Sequence, residues 1–90
     1  MDKTFVLVTT EYRGVFAGTL EDERDGGRTV KLSGARCAIR WATADGFLEL
    51  AQKGPNAKSK IGARAELITL YGVTSVADCT EEARAAWEAL

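Results

Sequence analysis

The sequence predicts a mainly β domain that carries a short inserted helix and a C-terminal helix. Two observations lead to this prediction. Runs of strand length, rich in β-branched and aromatic residues, follow one another along residues 5–41 and 66–78. Glycines interrupt these runs, as they do where a strand bulges or where a small barrel turns a corner. We therefore expect a small, strongly bent antiparallel sheet or an SH3-like or Sm-like barrel, the alternative being an open sheet packed against the two helices.

The first half of the chain contains three predicted strands. The run Phe5–Val8 is apolar throughout, which indicates a strand buried on both sides. The next run contains two glycines and predicts a long, kinked strand. It ends at a tight turn, because Asp25 and the two glycines after it tolerate positive φ angles. In the third strand Val30 and Leu32 alternate with polar residues and point inward, and Gly34 breaks the pattern.

The segment ARCAIRW continues the alternation beyond Gly34. Cys37, Ile39 and Trp41 fall on one face, which we predict to be buried. Arg36 and Arg40 fall on the opposite face, about 13 Å apart, and form either a solvated face or the wall of an anion site. The predicted core of the domain consists of Phe5, Leu7, Val15, Phe16, Leu20, Val30, Leu32, Ile39, Leu67 and Leu70.

A helical period replaces the strand period after Trp41. We expect a helix over about residues 45–53, with Asp45 as its N-cap, Gly54 as the glycine after its last turn and Pro55 beyond. A further strand is expected at about Glu66–Tyr71, followed by a short strand in VTSVAD.

The C-terminal helix is predicted over residues 80–90, so that residues 1–79 form the β core of a single domain spanning 1–90. Thr80 is the expected N-cap. One face of this helix carries Trp87 and Leu90, and Trp87 is predicted to anchor the helix either on the sheet or on another subunit. Trp87 and Leu90 are therefore the candidate interface residues.

Length and composition bound the class of protein. A chain of 90 residues buries only about 60% of its unfolded surface, so we expect a homo-oligomer, because a partner surface would add stability. No apolar run is long enough to cross a membrane and the N-terminus lacks a signal peptide, so we expect a cytoplasmic protein. Cys37 and Cys79 are expected to be free thiols.

The net charge of −1 hides an uneven distribution. Residues 1–25 carry three basic and six acidic side chains, residues 26–64 carry eight basic and two acidic, and residues 65–90 carry one basic and five acidic. Either the basic block folds onto one face that attracts anions, or folding interleaves the three segments into a mixed surface.

Most kinds of chemistry lack the residues they need. There is no histidine, and the two cysteines are far apart, so no metal site and no histidine-assisted nucleophile is expected. The segment GPNAKSKIG lacks the glycine spacing of a phosphate-binding loop and follows a helix instead of a strand. Glu49 lies among apolar residues, but this is more typical of the polar side of an amphipathic helix than of an acid catalyst. We predict a protein that is not an enzyme and needs no cofactor.

The segment GPNAKSKIGARAE, residues 54–66, is the remaining functional candidate. Glycines stand near both ends of its basic part, so it is predicted either to be a mobile lid over an anionic ligand or to be a solvated connector. Cationic side chains would bind phosphate or carboxylate groups, and a tryptophan ring would stack on a base. The candidate ligand-binding residues are Arg36, Arg40, Trp41, Lys58, Ser59, Lys60 and Arg64.

The words EYRGVFAG, ARCAIRW, GFLELAQKGP, KSKIG and GVTSVADCT together resemble a family of small proteins of tailed bacteriophages and prophages that is described as a domain of unknown function. The resemblance covers roughly residues 4–87. It implies a phage or prophage gene product that acts in the bacterial cytoplasm, and it implies no activity and no catalytic residues.

Three functions are compatible with these observations. The first is a module that captures an anionic small molecule, such as a nucleotide signal used in host defence. The second is a protein-interaction or virion-accessory module with a host or phage protein as partner. The third is an Sm-like binder of RNA or DNA, which the acidic termini and the isoelectric point near 5.4 disfavour.

Overall fold

The computed structural model describes residues 4–11, 14–40, 48–56 and 58–90. Within these residues every paired strand is antiparallel to its neighbour, and the predicted mainly β class is confirmed. The elements, in chain order, are β1 (Phe5–Thr10), β2 (Gly14–Arg24), β3 (Thr29–Arg40), α1 (Glu49–Gln52), β4 (Lys60–Ile61), β5 (Ala65–Tyr71), β6 (Val73–Asp78) and α2 (Glu81–Glu88).

The sheet is strongly bent because its two ends are joined by one residue. From one end to the other the order is β4, β3, β2, β1 and β6, and β5 pairs with β3 on the same side as β4. Only Gly72 separates β5 from β6, although these strands lie at opposite ends of the sheet. Val73 N donates to Arg28 O at 3.0 Å and Glu11 N donates to Gly72 O at 2.9 Å, so both ends meet at this glycine. In the described residues β5 and β6 do not pair with each other, so the sheet is bent but open.

The turn between β2 and β3 has the backbone that the sequence predicts. Asp25, Gly26 and Gly27 have φ angles of 57°, 68° and 94° and form a short 3-10 turn. Asp25 is the one non-glycine residue with positive φ in the described part of the chain, and aspartate tolerates this region better than most residues. Its carboxylate accepts a hydrogen bond from Thr29 Oγ1 at 3.2 Å, which ties the turn to the start of β3.

A bulge at Gly34 changes which side chains of β3 point inward. Ala17 pairs with Arg36 and Thr19 with Ser33, so β3 contains one more residue than β2 between these pairs. Gly34 itself has a φ of 57°. Because side chains alternate along a strand, one extra residue moves every later side chain to the other face.

The prediction that Cys37 and Ile39 lie in the core is wrong, although the bulge leaves them on the face of the inner core, where Cys37 pairs with Phe16. At this end of β3 the covered face is the opposite one, which belongs to the outer core. The buried residue is Ala38, with 4% of its surface exposed, whereas Ile39 is 56% exposed and Cys37 is half-buried. Trp41, which was predicted to share their face, lies outside the described residues.

The bent sheet has a core on each face. The inner core lies within the curl of the sheet and consists of Val6, Val8, Val30, Leu32, Ala35 and Leu70. The outer core lies between the sheet and the helices and consists of Phe5, Leu7, Val15, Ala17, Ala38, Leu50, Ala51, Ala83 and Trp87. Of the other predicted core residues, Phe16 and Leu20 pack against the inner core. Leu67 was wrongly predicted: it lies opposite Ser33, alternates with the inward residues Ile68 and Leu70, and is 57% exposed.

The two helices dock on each other as well as on the sheet. Thr80 is the N-cap of α2, as predicted: its hydroxyl accepts from Ala83 N at 3.1 Å. The same hydroxyl donates to Gln52 O at the end of α1. The described part of the inserted helix spans four residues, and the predicted cap Asp45 lies outside the described residues. No helix in the described chain has the length and apolar character needed to cross a membrane.

Candidate functional site

The predicted ligand-binding residues do not form one cluster. Arg36 and Arg64 line the same cleft. Arg40 and Lys60 face each other as a pair between β3 and β4, and both are exposed. Trp41 lies outside the described residues, so its predicted stacking role has no structural account.

The glycines of the segment 54–66 are fixed by packing and hydrogen bonds. Gly54 is buried with a φ of 84°, and a β-carbon placed on it would lie 2.5 Å from the β-carbon of Ala86. It therefore ends α1 and lets α2 approach closely. Gly62 N donates to Cys37 O at 2.8 Å, and Gly62 O accepts from Arg36 Nε at 3.0 Å. Both glycines are thus engaged in packing or hydrogen bonds, and the lid expected from the sequence stays a prediction.

The polar residues of the segment bind one another. Asn56 Oδ1 accepts from Lys58 N at 3.0 Å and from Ser59 Oγ at 3.2 Å, and Asn56 O accepts from Ser59 N at 3.0 Å. These bonds form a compact turn that leads into β4. The side chains of Asn56 and of Ser59, the latter a predicted ligand-binding residue, therefore stabilise this turn. Lys58 is exposed beside them.

A cleft of about 390 Å³ lies on the outer face of the sheet, next to the C-terminal end of α2. Its volume falls within the range of about 300–1,000 Å³ that is usual for small-molecule sites. Strands β1, β2 and β3, the start of β5 and the end of α2 all contribute to it. The lining residues are Phe5, Ala17, Thr19, Ser33, Gly34, Arg36, Arg64, Glu66, Trp87, Glu88 and Leu90.

Arg36 forms one wall of the cleft and holds its parts together. Its Nε donates to Gly62 O at 3.0 Å, and its Nη1 donates to Leu90 O at 2.6 Å. The guanidinium thus joins β3 to the residue after β4 and to the chain after α2. Because Nε and Nη1 already donate these two hydrogen bonds, only the remaining N–H groups of Arg36 are left to bind a ligand in the cleft.

Arg64 lies over Gly34, the bulged residue of β3. A β-carbon placed on Gly34 would lie 2.8 Å from Arg64 Nη2 and 3.3 Å from both Cζ and Nε. The guanidinium therefore occupies the space that any other residue at position 34 would fill. In the described part of the chain no hydrogen bond or ion pair engages the guanidinium of Arg64, which is exposed and lines the cleft. The sequence signal that was missed is a glycine inside a strand, which often marks such a close approach.

Acidic residues balance these two arginines. Glu66 and Glu88 also line the cleft, and Glu88 pairs with Arg84 at 3.4 Å. A second groove of about 310 Å³, on the outer side of β5, likewise contains both signs, with Asp22 and Asp25 beside Arg24 and Lys31. Folding therefore interleaves the basic block with the acidic segments, the second of the two arrangements considered from the sequence.

Trp87 lies inside the chain. It is 2% exposed, and its Nε1 donates to Leu50 O at 3.0 Å, so α2 is anchored on α1 and the sheet. Its ring is therefore not available on the surface to another subunit. Leu90 is 57% exposed at the rim of the cleft, and its role as an interface residue remains a prediction.

The thiols are free and partly buried. Burial raises the pKa of Cys79 to about 12, with the nearby Asp78 charge adding to the effect. Burial also raises the pKa of Cys37, while a backbone hydrogen bond from Val15 opposes this. In both cases burial favours the neutral thiol over the thiolate. Among the residues that the structure describes, no three acidic or cysteine side chains are grouped so that they could hold a metal ion.

The comparisons with known proteins give one positive finding. The family described as Domain of unknown function (DUF6948) matches residues 3–87, which is nearly the whole chain. No curated protein matches the chain, and no solved structure does.

Proposed function

The chain belongs to the family described as Domain of unknown function (DUF6948), and we propose a function for it. The chain is a non-enzymatic binding module that captures an anionic small molecule in the cleft beside the end of α2. The cleft is the largest of the grooves described above and combines an apolar wall with two guanidinium groups. Such a combination of apolar surface and a few placed polar groups is typical of ligand sites.

The observation that carries this proposal is the position of Arg64. Arg64 is exposed, its guanidinium lies against Gly34, and no hydrogen bond or ion pair engages its donors within the described residues. An arginine that is positioned in advance loses less side-chain freedom when it binds a carboxylate or phosphate. Each charge-assisted hydrogen bond that it forms is worth about 1.5–3 kcal/mol.

The acidic residues of the cleft indicate how an anion would bind there. Because Glu66 and Glu88 offset Arg36 and Arg64, the cleft has no net formal charge and does not concentrate anions by its general field. Recognition then depends on direct hydrogen bonds from Arg64 and from the free donors of Arg36. We expect the affinity to change little with salt, in contrast to nucleic-acid binding.

The ligand class that we favour is a nucleotide. Its phosphate would meet Arg64, and its base would lie toward the side chain of Leu90, which lines the cleft and is 57% exposed. The sequence resemblance to phage and prophage proteins suggests a context, namely the removal of a nucleotide signal that the bacterial host uses in defence. This context rests on the resemblance alone.

The test is a search for co-purified ligand followed by binding to variants. Protein taken from lysogenic or phage-infected cells is denatured, and the released small molecules are identified by mass spectrometry. Binding of the released anion to the refolded wild type and to Arg64→Ala is then measured by calorimetry. We expect Arg64→Ala to weaken binding about 10- to 150-fold, the equivalent of one charge-assisted hydrogen bond. Lys58→Ala is the matched control, since Lys58 is an exposed cation outside the cleft.

Two results would contradict the proposal. Undiminished binding by Arg64→Ala, with an unchanged melting temperature, would show that the anion does not bind through this guanidinium. Equal losses in Arg64→Ala and Lys58→Ala would show a non-specific charge effect.

A protein partner is the second candidate function, favoured by the exposed face of β5. Leu67 and Tyr71 are 57% and 73% exposed, and because they are four residues apart they lie on the same face of this strand. Protein that releases no small molecule from any source would support this alternative. A nucleic-acid partner would instead reveal itself in filter binding by a steep loss of affinity with salt.

A further inference from the structure

Strand β6 has an edge that is not used within the described chain. It pairs with β1 along Val6–Thr10 and lies at the end of the sheet. At its first residue the other edge is occupied, because Val73 N donates to Arg28 O. From Thr74 onward no strand adjoins this edge among the residues described, so backbone donors and acceptors are left open.

Val76 is an exposed apolar residue at this edge of the described sheet. It pairs with Val8, which is fully buried in the inner core, yet Val76 itself is 38% exposed. Beside it runs a groove of about 330 Å³ between β6 and the turn that joins β2 to β3, lined by Glu23, Gly26, Gly27, Arg28, Val73, Thr74, Ser75 and Val76. An added strand along β6 would cover Val76 and part of this groove.

The edge also lacks the features that usually prevent pairing. Natural edge strands often carry lysine, proline or inward-pointing charges. The sequence of β6, VTSVAD, has neither lysine nor proline, and its one charge is Asp78 at the last position. Strand β5, at the other end of the sheet, carries Glu66 near its start.

We propose that a second copy of this chain adds its β6 to this edge, in an antiparallel pair centred on Val76, which then lies opposite Val76 of the second copy. This register places Asp78 opposite Thr74 of the second copy, the residue next to Val73. Val73 is bonded to the carbonyl of Arg28, so the exposed Arg28 lies at that end of the strand. The two-fold symmetry of such a dimer repeats the pairing of Asp78 with Arg28 at the other end. The charges at the two ends of the edge are thus complementary to a second copy in this register.

This inference is independent of the proposed ligand and replaces the interface expected from the sequence. A tail-helix interface through Trp87 has no exposed ring to use, because Trp87 is buried within the chain. The homo-oligomer expected for so small a domain would instead form by extension of the sheet.

The first experiment measures mass in solution by light scattering over a range of protein concentrations. We expect the wild type to form a dimer and Val76→Lys to be monomeric, because the substitution introduces a charge at the centre of the new pair. Leu67→Lys is the matched control, since it replaces an exposed apolar residue on β5 and should leave the dimer intact. Thermal unfolding of each variant verifies that it is folded. The proposal would be overturned if the wild type were monomeric at every concentration, or if the dimer persisted in folded Val76→Lys. If the wild type is a monomer that binds a strand of another protein, the edge belongs to that partner instead.

The second experiment tests the register by reversing charges. Asp78→Arg and Arg28→Asp are both surface substitutions and should each weaken the dimer by about threefold or more, whereas the double variant should restore it. Two single variants that dimerise as well as the wild type would contradict the register. A double variant that dimerises no better than the single ones would contradict it equally.

Discussion

Replacing Trp87 separates two roles that this residue could have, in the core of one chain or at the interface between two. The indole is 2% exposed and contacts the outer core, and its N–H donates to Leu50 O at 3.0 Å. Trp87→Ala should therefore lower the free energy of unfolding, and Trp87→Phe should lower it less. Neither substitution should change the mass of the folded protein in solution.

The size of the effect follows from the contacts. Truncating a buried tryptophan to alanine costs about 3–5 kcal/mol. Trp87→Phe retains a ring but leaves the Leu50 carbonyl without its donor, at about 1–3 kcal/mol, and it removes apolar contacts worth about 1 kcal/mol. A domain of this length has a total stability of about 5–13 kcal/mol. Trp87→Ala is thus expected to lose a large share of it, and Trp87→Phe about 2–4 kcal/mol.

Urea denaturation followed by far-UV circular dichroism measures both variants, since the signal does not depend on the replaced indole. Leu90→Ala is the control: its side chain is 57% exposed, so its free energy of unfolding should stay within about 0.5 kcal/mol of the wild type. The reasoning fails if Trp87→Ala keeps its stability within that margin while changing the association of the chain. That result would place the indole at an intermolecular interface.

Three further predictions concern the helices and Cys79. Gly54→Ala should cost at least 1–2 kcal/mol in thermal unfolding, because φ is 84° there and the new methyl would meet Ala86; a neutral effect would contradict the packing. Thr80→Ala should cost about 1–2 kcal/mol, since one hydroxyl caps α2 and binds the end of α1, whereas Thr80→Ser should retain most of the stability. For Cys79 the folded pKa of about 12 exceeds the ordinary value of 9.0, so the folded state retains the proton longer. The contribution of this thiol to stability is then constant below pH 9 and falls as the pH rises from 9 toward 12, and Cys79→Ala should remove this part of the pH dependence.

The sequence predicts the strands well because their signals are local. The positive φ angles from Asp25 to Gly27 and the cap at Thr80 depend on the chemistry of a few neighbouring residues, and both are found in the structure. Burial beyond Gly34 depends on which face the neighbouring elements cover, and this is not local. Cys37 pairs with Phe16 on the face of the inner core, as the predicted alternation requires. At this end of β3, however, the outer core covers Ala38 on the opposite face, and Ile39 is left 56% exposed.

The cleft is harder to predict because it joins distant segments. The sequence marks Arg36 and Arg64 as cations but does not indicate that Gly34 supports one of them. It identifies the apolar face of α2 but not the surface that covers Trp87, because periodicity describes one element and docking involves two. Glu66, which limits the net charge of the cleft, was not identified from the pattern at all.

The alternation of β1 has a consequence for how the molecule comes apart. Phe5 and Leu7 belong to the outer core, whereas Val6 and Val8 belong to the inner core. Opening either core exposes β1 and so removes the two residues that β1 contributes to the other core. The two cores therefore form one cooperative unit, and hydrogen exchange of the β1 amides should require global unfolding.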